Sequence, residues 1–90
     1  MLVEWDAAKA ERNLKKHGVS FEEAATVLLD PLAITYADDT VTEERSITVG
    51  HSSIGRVLVV VTTERADDVL RIISARKATP KERRAYEEAV

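Results

Sequence analysis

Apolar and polar positions repeat with two different periods along this chain, and the period changes near residue 32. Before that point the spacing is helical. Ala7, Ala10, Leu14 and His17 fall at i, i+3, i+7 and i+10, which predicts a helix capped by Asp6 and ended by Gly18. Ser20-Phe21-Glu22-Glu23 has the pattern of a capping box, in which a hydroxyl caps and the glutamate reaches back. Phe21, Ala24, Ala25 and Leu28 then give a second, short amphipathic helix, which Asp30-Pro31 stops. Residues 3–5 read as a short edge strand before both helices.

After residue 32 the period is two. Strands are predicted over residues 32–36, 45–49, 57–63 and 69–75, separated by polar turns at 37–42, 52–55 and 64–68. Residues 57–63 are apolar on both faces, which suggests a central strand. Thr79-Pro80-Lys81-Glu82 combines an N-cap, a proline at the first helical position and a second capping box, so a closing helix follows. The predicted order is β-α-α-β-β-β-β-α. Short links between consecutive strands favour an antiparallel meander, giving an α+β fold with helices packed on one face and the other face free.

Ninety residues make a single domain over residues 1–90. The chain has no cysteine, so disulfides and thiolate metal sites are excluded and a cytoplasmic location is the default. The longest apolar run, residues 57–61, is too short to span a bilayer, and no signal pattern opens the chain. The net charge is −3, but residues 1–50 carry −5 and residues 51–90 carry +2. Cations concentrate late: Arg71, Arg76, Lys77, Lys81, Arg83 and Arg84 face one acid, Glu82, between residues 71 and 84. That segment is either a solvated helix face or a phosphate-binding patch with Tyr86 beside it.

The chemistry has few other places to sit. Two histidines, His17 and His51, form no paired metal motif, and Asp38-Asp39 and Asp67-Asp68 lie in turns where acids are expected anyway, so no metal or cofactor is expected. There is no glycine-rich phosphate loop and no nucleophile elbow. Metal-free RNA cleavage needs a group to loosen the 2′ proton, a group to protonate the departing 5′ oxygen, and cations for the phosphorane. Arg45, Arg56, Arg65, Arg71 and Arg76 lie on or beside the predicted strands, where an unpartnered charge is costly. Arg76 stands at a strand end, well placed to present its guanidinium; Arg71 points the opposite way unless a bulge intervenes. Glu64 beside Arg65 reads as a base with its orienter or as a hairpin ion pair. His17 reads as a packed core histidine or as a general base. Lys9, near a helix start, is not placed to help the dipole. Arg56, Arg71, Lys77 and Lys81 are the candidate phosphate binders.

Taken in order, Glu4-Trp5-Asp6, Lys9, Asn13, the block from Lys16 to Ala24 (KHGVSFEEA), Asp30-Pro31, Glu44-Arg45, Gly55-Arg56, Thr63-Glu64-Arg65, the block from Ile72 to Arg76 (IISAR) and the block from Glu82 to Glu87 resemble the BrnT toxins. The resemblance covers nearly the whole chain. It implies a ribonuclease of a type II toxin–antitoxin module with a RelE-like fold, working on RNA without metal. It also implies a toxin–antitoxin hetero-oligomer with a BrnA-like antitoxin that carries a ribbon-helix-helix domain. Arg76, Arg65 and Tyr86 are the catalytic positions it carries over, with Lys9 and His17 belonging to the BrnT pattern. The competing expectation is a non-catalytic module that only docks to a partner protein, with the same arginines forming an interface.

Overall fold

The computed structural model describes residues 1–89. Strand β1 (Leu2–Glu4) leads to helices α1 (Ala7–His17) and α2 (Phe21–Val27), then to strands β2 (Ile34–Ala37), β3 (Arg45–His51), β4 (Val57–Ala66) and β5 (Val69–Lys77), and helix α3 (Pro80–Ala89) closes the chain. The α+β class and the order of elements are those expected.

Local chemistry explains the helix ends. Asp6 accepts the Lys9 backbone N–H at 3.0 Å, and Gly18, at φ 69°, donates its N–H to the Leu14 carbonyl. At α3 the capping box is complete: Glu82 N–H donates to Thr79 Oγ1 at 3.1 Å, and Thr79 N–H donates to Glu82 Oε1 at 2.8 Å. At α2 it is half made. Ser20 Oγ accepts the Glu23 N–H at 3.0 Å, but the Glu23 carboxylate turns to Arg56 and Ser52 instead.

The sheet runs β1-β5-β4-β3-β2. Strands β2 to β5 form the expected antiparallel meander, whereas β1 pairs with β5 in parallel, with Leu2 opposite Val69 and Glu4 opposite Arg71, so the sheet is mixed. The N-terminal ammonium anchors this pair on Asp68 at 3.1 Å. Helix α2 and the link before it cover one face through Val19, Phe21, Ala24 and Val27, packed with Leu58, Val60, Ile72 and Ala75, and α1 adds Ala10 to the same cluster. Helix α3 lies on the opposite face, where Tyr86 packs on Val49, Val57 and Val59. This replaces the one-sided arrangement. Because β4 is apolar on both sides, each side requires a cover.

Two further differences bear on function. In α1 the inward residue is Asn13, while Leu14 is half exposed. The Asn13 amide donates to the Val19 and Ala75 carbonyls and accepts from the Ala75 N–H. In β5 the pairing shifts between Val61 and Thr62, so that Val61 faces Ser74 but Thr62 faces Ile72. The extra residue puts Arg71, opposite Thr63, on the same face as Arg76, opposite Val59.

Candidate functional site

Asp30 follows α2 and turns its carboxylate inward. Oδ1 accepts the Leu32 N–H at 2.9 Å; Oδ2 accepts the His51 N–H at 2.9 Å and the Tyr86 hydroxyl at 2.6 Å. These bonds, the Tyr86 one first, hold the Asp30 carboxyl below its usual range. Tyr86 is 2% exposed, and burial followed by the hydrogen bond to Asp30 pushes its hydroxyl up, so the phenol keeps its proton. The Tyr86 hydroxyl donates that proton in its hydrogen bond to Asp30 Oδ2. The phenolic oxygen is therefore left to accept from His51 Nδ1, 3.2 Å away, with the two rings edge to face at 5.3 Å. This order of donors assigns the proton to Nδ1 and leaves the Nε2 lone pair of an exposed imidazole unbonded among the described residues.

His51 borders a cleft of about 550 Å³ between the β3–β4 turn and the start of α3. Arg56, Lys77, Arg83 and Glu87 share its walls. Arg56 is fixed: its Nε donates to Glu23 Oε2 at 2.9 Å, a second nitrogen donates to Glu23 Oε1, and that nitrogen also reaches the Gly18 carbonyl at 3.2 Å. Arg56 in turn holds the Glu23 carboxyl below its usual range. Lys77 and Arg83 have no ion-pair partner among the described residues. The cleft thus offers one oriented imidazole, one fixed guanidinium and two unpaired cations.

The other expected site residues are dispersed. Arg76 is not a free guanidinium. Its two terminal nitrogens bind both oxygens of Glu82 at 2.7 and 2.8 Å, which ties the end of β5 to the first turn of α3. Tyr86 sits behind the cleft and does not line it. Arg65 is exposed at the β4–β5 hairpin, where the register shifts between Glu64 and Ala66. Glu64 lines a separate acidic cavity with Asp38, Asp39, Glu43 and Glu44. Lys81 is exposed in the first turn of α3. Arg71 and Arg45 lie across Thr63 on one sheet face, each with a covered Nε that has no partner among the described residues. Lys9 and His17 do come together, with Arg12 and Lys16, around a cavity of about 370 Å³ beside Ile73 and Ser74. No group of three or more His, Asp or Glu among the described residues is arranged to hold a metal ion. No helix among them is long and apolar enough to cross a membrane.

Sequence reasoning read Asp30 as a helix stop, gave His51 no role, and named Arg83 only as part of the cationic 71–84 segment. The available signal was Gly50 before His51. A Cβ at Gly50 would stand 2.9 Å from Asp30 Oδ2 and 3.0 Å from the Ala33 Cβ. Gly50→Ala is accordingly expected to displace Asp30 and lower stability by about 1–3 kcal/mol. Urea melts with the Tyr86 ring signals followed by NMR check this; an unchanged midpoint with unchanged Tyr86 shifts contradicts it.

The Arg76–Glu82 pair makes a pH prediction. Arg76, ahead of the Thr79 contacts, lowers the Glu82 carboxyl from 4.5 to about 2. With the folded value below the unfolded one, this contribution is fully present above pH 4.5 and disappears as pH falls toward 2. Partial exposure of both partners keeps the effect small. The melting temperature of the wild-type chain should fall more steeply from pH 5 to pH 2 than that of Arg76→Ala. Equal slopes count against the pair.

The family model described as "Ribonuclease toxin, BrnT, of type II toxin-antitoxin system" matches residues 5–82. Among solved structures, the 1.1 Å crystal structure of the Brucella abortus ribonuclease toxin BrnT is similar, with a TM-score of 0.70 and 22% identity, covering 88% of this chain and 99% of that one. At that identity the likeness shows the fold alone. No curated protein matches the sequence.

Proposed function

This chain belongs to the BrnT family of ribonuclease toxins of type II toxin–antitoxin systems, and on that premise we propose that it cuts RNA without metal, by attack of the 2′-hydroxyl, in the cleft headed by His51. The observation that carries the reading is the hydrogen-bonded line from Asp30 through Tyr86 to His51 Nδ1, which ends at a cationic wall. His51 Nε2 takes the 2′ proton as the 2′ oxygen bonds to phosphorus. The P–O5′ bond breaks, and the 5′ oxygen receives a proton from the Lys77 ammonium. Arg83 offsets the charge that grows on the phosphorane, while Arg56, held by Glu23, shapes the cleft wall. The products are a 2′,3′-cyclic phosphate and a free 5′-hydroxyl.

Tyr86 and Asp30 act through His51, as positioning residues. Arg76 holds α3 against β5 and so keeps Arg83 and Tyr86 in place. The partner is a BrnA-like antitoxin with a ribbon-helix-helix domain. A second reading sets the phosphate at α1, favoured by Lys9, Arg12, Lys16 and His17 around one cavity. It is weaker because among the described residues no hydrogen bond fixes either nitrogen of His17.

Purified chain incubated with a short RNA in EDTA tests the chemistry. Fragments ending in 2′,3′-cyclic phosphate are expected. Cleavage that stops with EDTA and returns with magnesium, or fragments bearing 5′-phosphate, contradict it.

A further inference from the structure

Strand β2 and the turn after it have a chemistry opposite to that of the cationic cleft. Strand β2 closes the sheet order, so its outer edge is unpaired. All four of its residues are exposed. Large apolar side chains are exposed on it and on the segment before it: Leu29 is 75% exposed, Leu32 55%, Ile34 37% and Tyr36 49%. Such exposure on a bare strand edge is a liability in a lone chain and a template for pairing. Ile34 and Tyr36 continue inward to a groove against α3, where Val49, Ala85 and Tyr86 form an apolar floor. Beyond the far end of β2, one cavity of about 500 Å³ is lined by Asp38, Asp39, Glu43, Glu44 and Glu64, with Arg45 its one cation. That cation is already paired with Glu43 at 3.2 Å. A polyanion is repelled from such a surface.

We infer that the β2 edge is the docking strip for the antitoxin: an extended antitoxin segment adds as a sixth strand beside residues 34–37, seats apolar side chains against Ile34 and Tyr36, and places lysine or arginine side chains over Asp38, Asp39, Glu43 and Glu44. The partner's class follows from three features. A free edge takes an extended backbone. The exposed apolar residues take apolar side chains at alternate positions. The carboxylates, lacking a free cation, take basic ones. The inference rests on the toxin–antitoxin reading. It separates the two binding tasks on the molecule, with RNA at the cationic cleft and the inhibitor on the acidic edge. A partner strand here would also lie beside α3, which carries Tyr86 and Arg83.

The test uses the complete chain co-expressed with the antitoxin from its own operon, and two variants. Ile34→Lys with Tyr36→Lys removes the apolar anchors. Asp38→Lys with Asp39→Lys reverses charge in the turn after β2, outside both core clusters, with loss of the bonds from Thr40 to Asp38 that the folding measurement must show to be tolerated. Affinity is read by calorimetry, RNA cleavage separately, and folding by circular dichroism. Both variants should bind the antitoxin at least about thirtyfold more weakly, the scale of losing an interface anchor. Each should still cut RNA at the wild-type rate. Amides of residues 34–37 should gain hydrogen-exchange protection in the wild-type complex. Wild-type affinity in the folded Asp38→Lys, Asp39→Lys variant, or no gain in protection at residues 34–37, overturns the proposal. Absence of RNA cleavage by the wild-type chain counts against the ribonuclease reading alone, because the binding measurement does not depend on it.

Discussion

Replacing His51 with alanine is expected to lower the rate of RNA cleavage by about 10²- to 10⁴-fold, the range typical of a lost general base. Folding should survive, because the ring is exposed and no apolar cluster includes it. The effect should concentrate in kcat, since the cations that hold phosphate remain. Tyr86→Phe supplies the companion result. It removes the hydroxyl that accepts from Nδ1 and donates to Asp30, so the imidazole loses its fixed tautomer. The pH–rate profile should then move, which a change in packing alone does not produce. Stopped-flow cleavage of a fluorogenic RNA measures both. An unaltered rate in His51→Ala places the proton transfer elsewhere in the molecule.

Asn13→Ala is expected to produce the largest loss of stability. β1 pairs with only the first residues of β5, so the edge of β5 near Ala75 has no strand beside it. The Asn13 amide fills that place. Its Nδ2 donates to the Ala75 carbonyl at 2.8 Å and its Oδ1 accepts the Ala75 N–H at 3.2 Å, as a neighbouring strand would. Nδ2 also donates to the Val19 carbonyl at 3.0 Å, which fixes the link from α1 to α2. Alanine leaves three buried backbone groups unsatisfied, at a cost of about 3 kcal/mol after partial relaxation. A chain of this length has roughly 5–13 kcal/mol in total. The melting temperature should therefore fall by roughly 12–24 °C. Thermal melts by circular dichroism decide it, and a drop under about 4 °C means water or a local shift replaces the amide.

Much of the architecture was readable because it is set locally. The change from helical to two-residue period marks the start of the meander, and Gly18, Thr79 and Pro80 mark helix ends through backbone requirements that involve only their neighbours. The parallel pairing of β1 with β5 was not readable, since residues 2 and 69 meet only after both helices have crossed the sheet. The same limit governed the site. The count and position of arginines point to phosphate chemistry, but composition does not reveal which guanidiniums are already satisfied. Arg76 looked available at its strand end; Glu82, six residues on, takes both of its terminal nitrogens. Arg56 is likewise held by Glu23 across 33 positions. The role proposed for His51 rests on Tyr86 and Asp30, which lie 35 and 21 residues away. Its significance comes from a hydrogen-bond chain that no spacing rule encodes. The sequence singles out the cationic segment over residues 71–84, and of it Lys77 and Arg83 reach the cleft wall.

The chain has two histidines, and each heads a different cationic cavity, His51 at the β3–β4 turn and His17 at the end of α1. Imidazole nitrogen NMR with an uncleavable 2′-deoxy tetranucleotide therefore locates the scissile phosphate in a single titration. A saturable shift of the His51 Nε2 resonance, with Nδ1 remaining protonated and His17 unmoved, is the expected result. Saturation at His17 with His51 unmoved contradicts the assignment of proton transfer to the Asp30–Tyr86–His51 line.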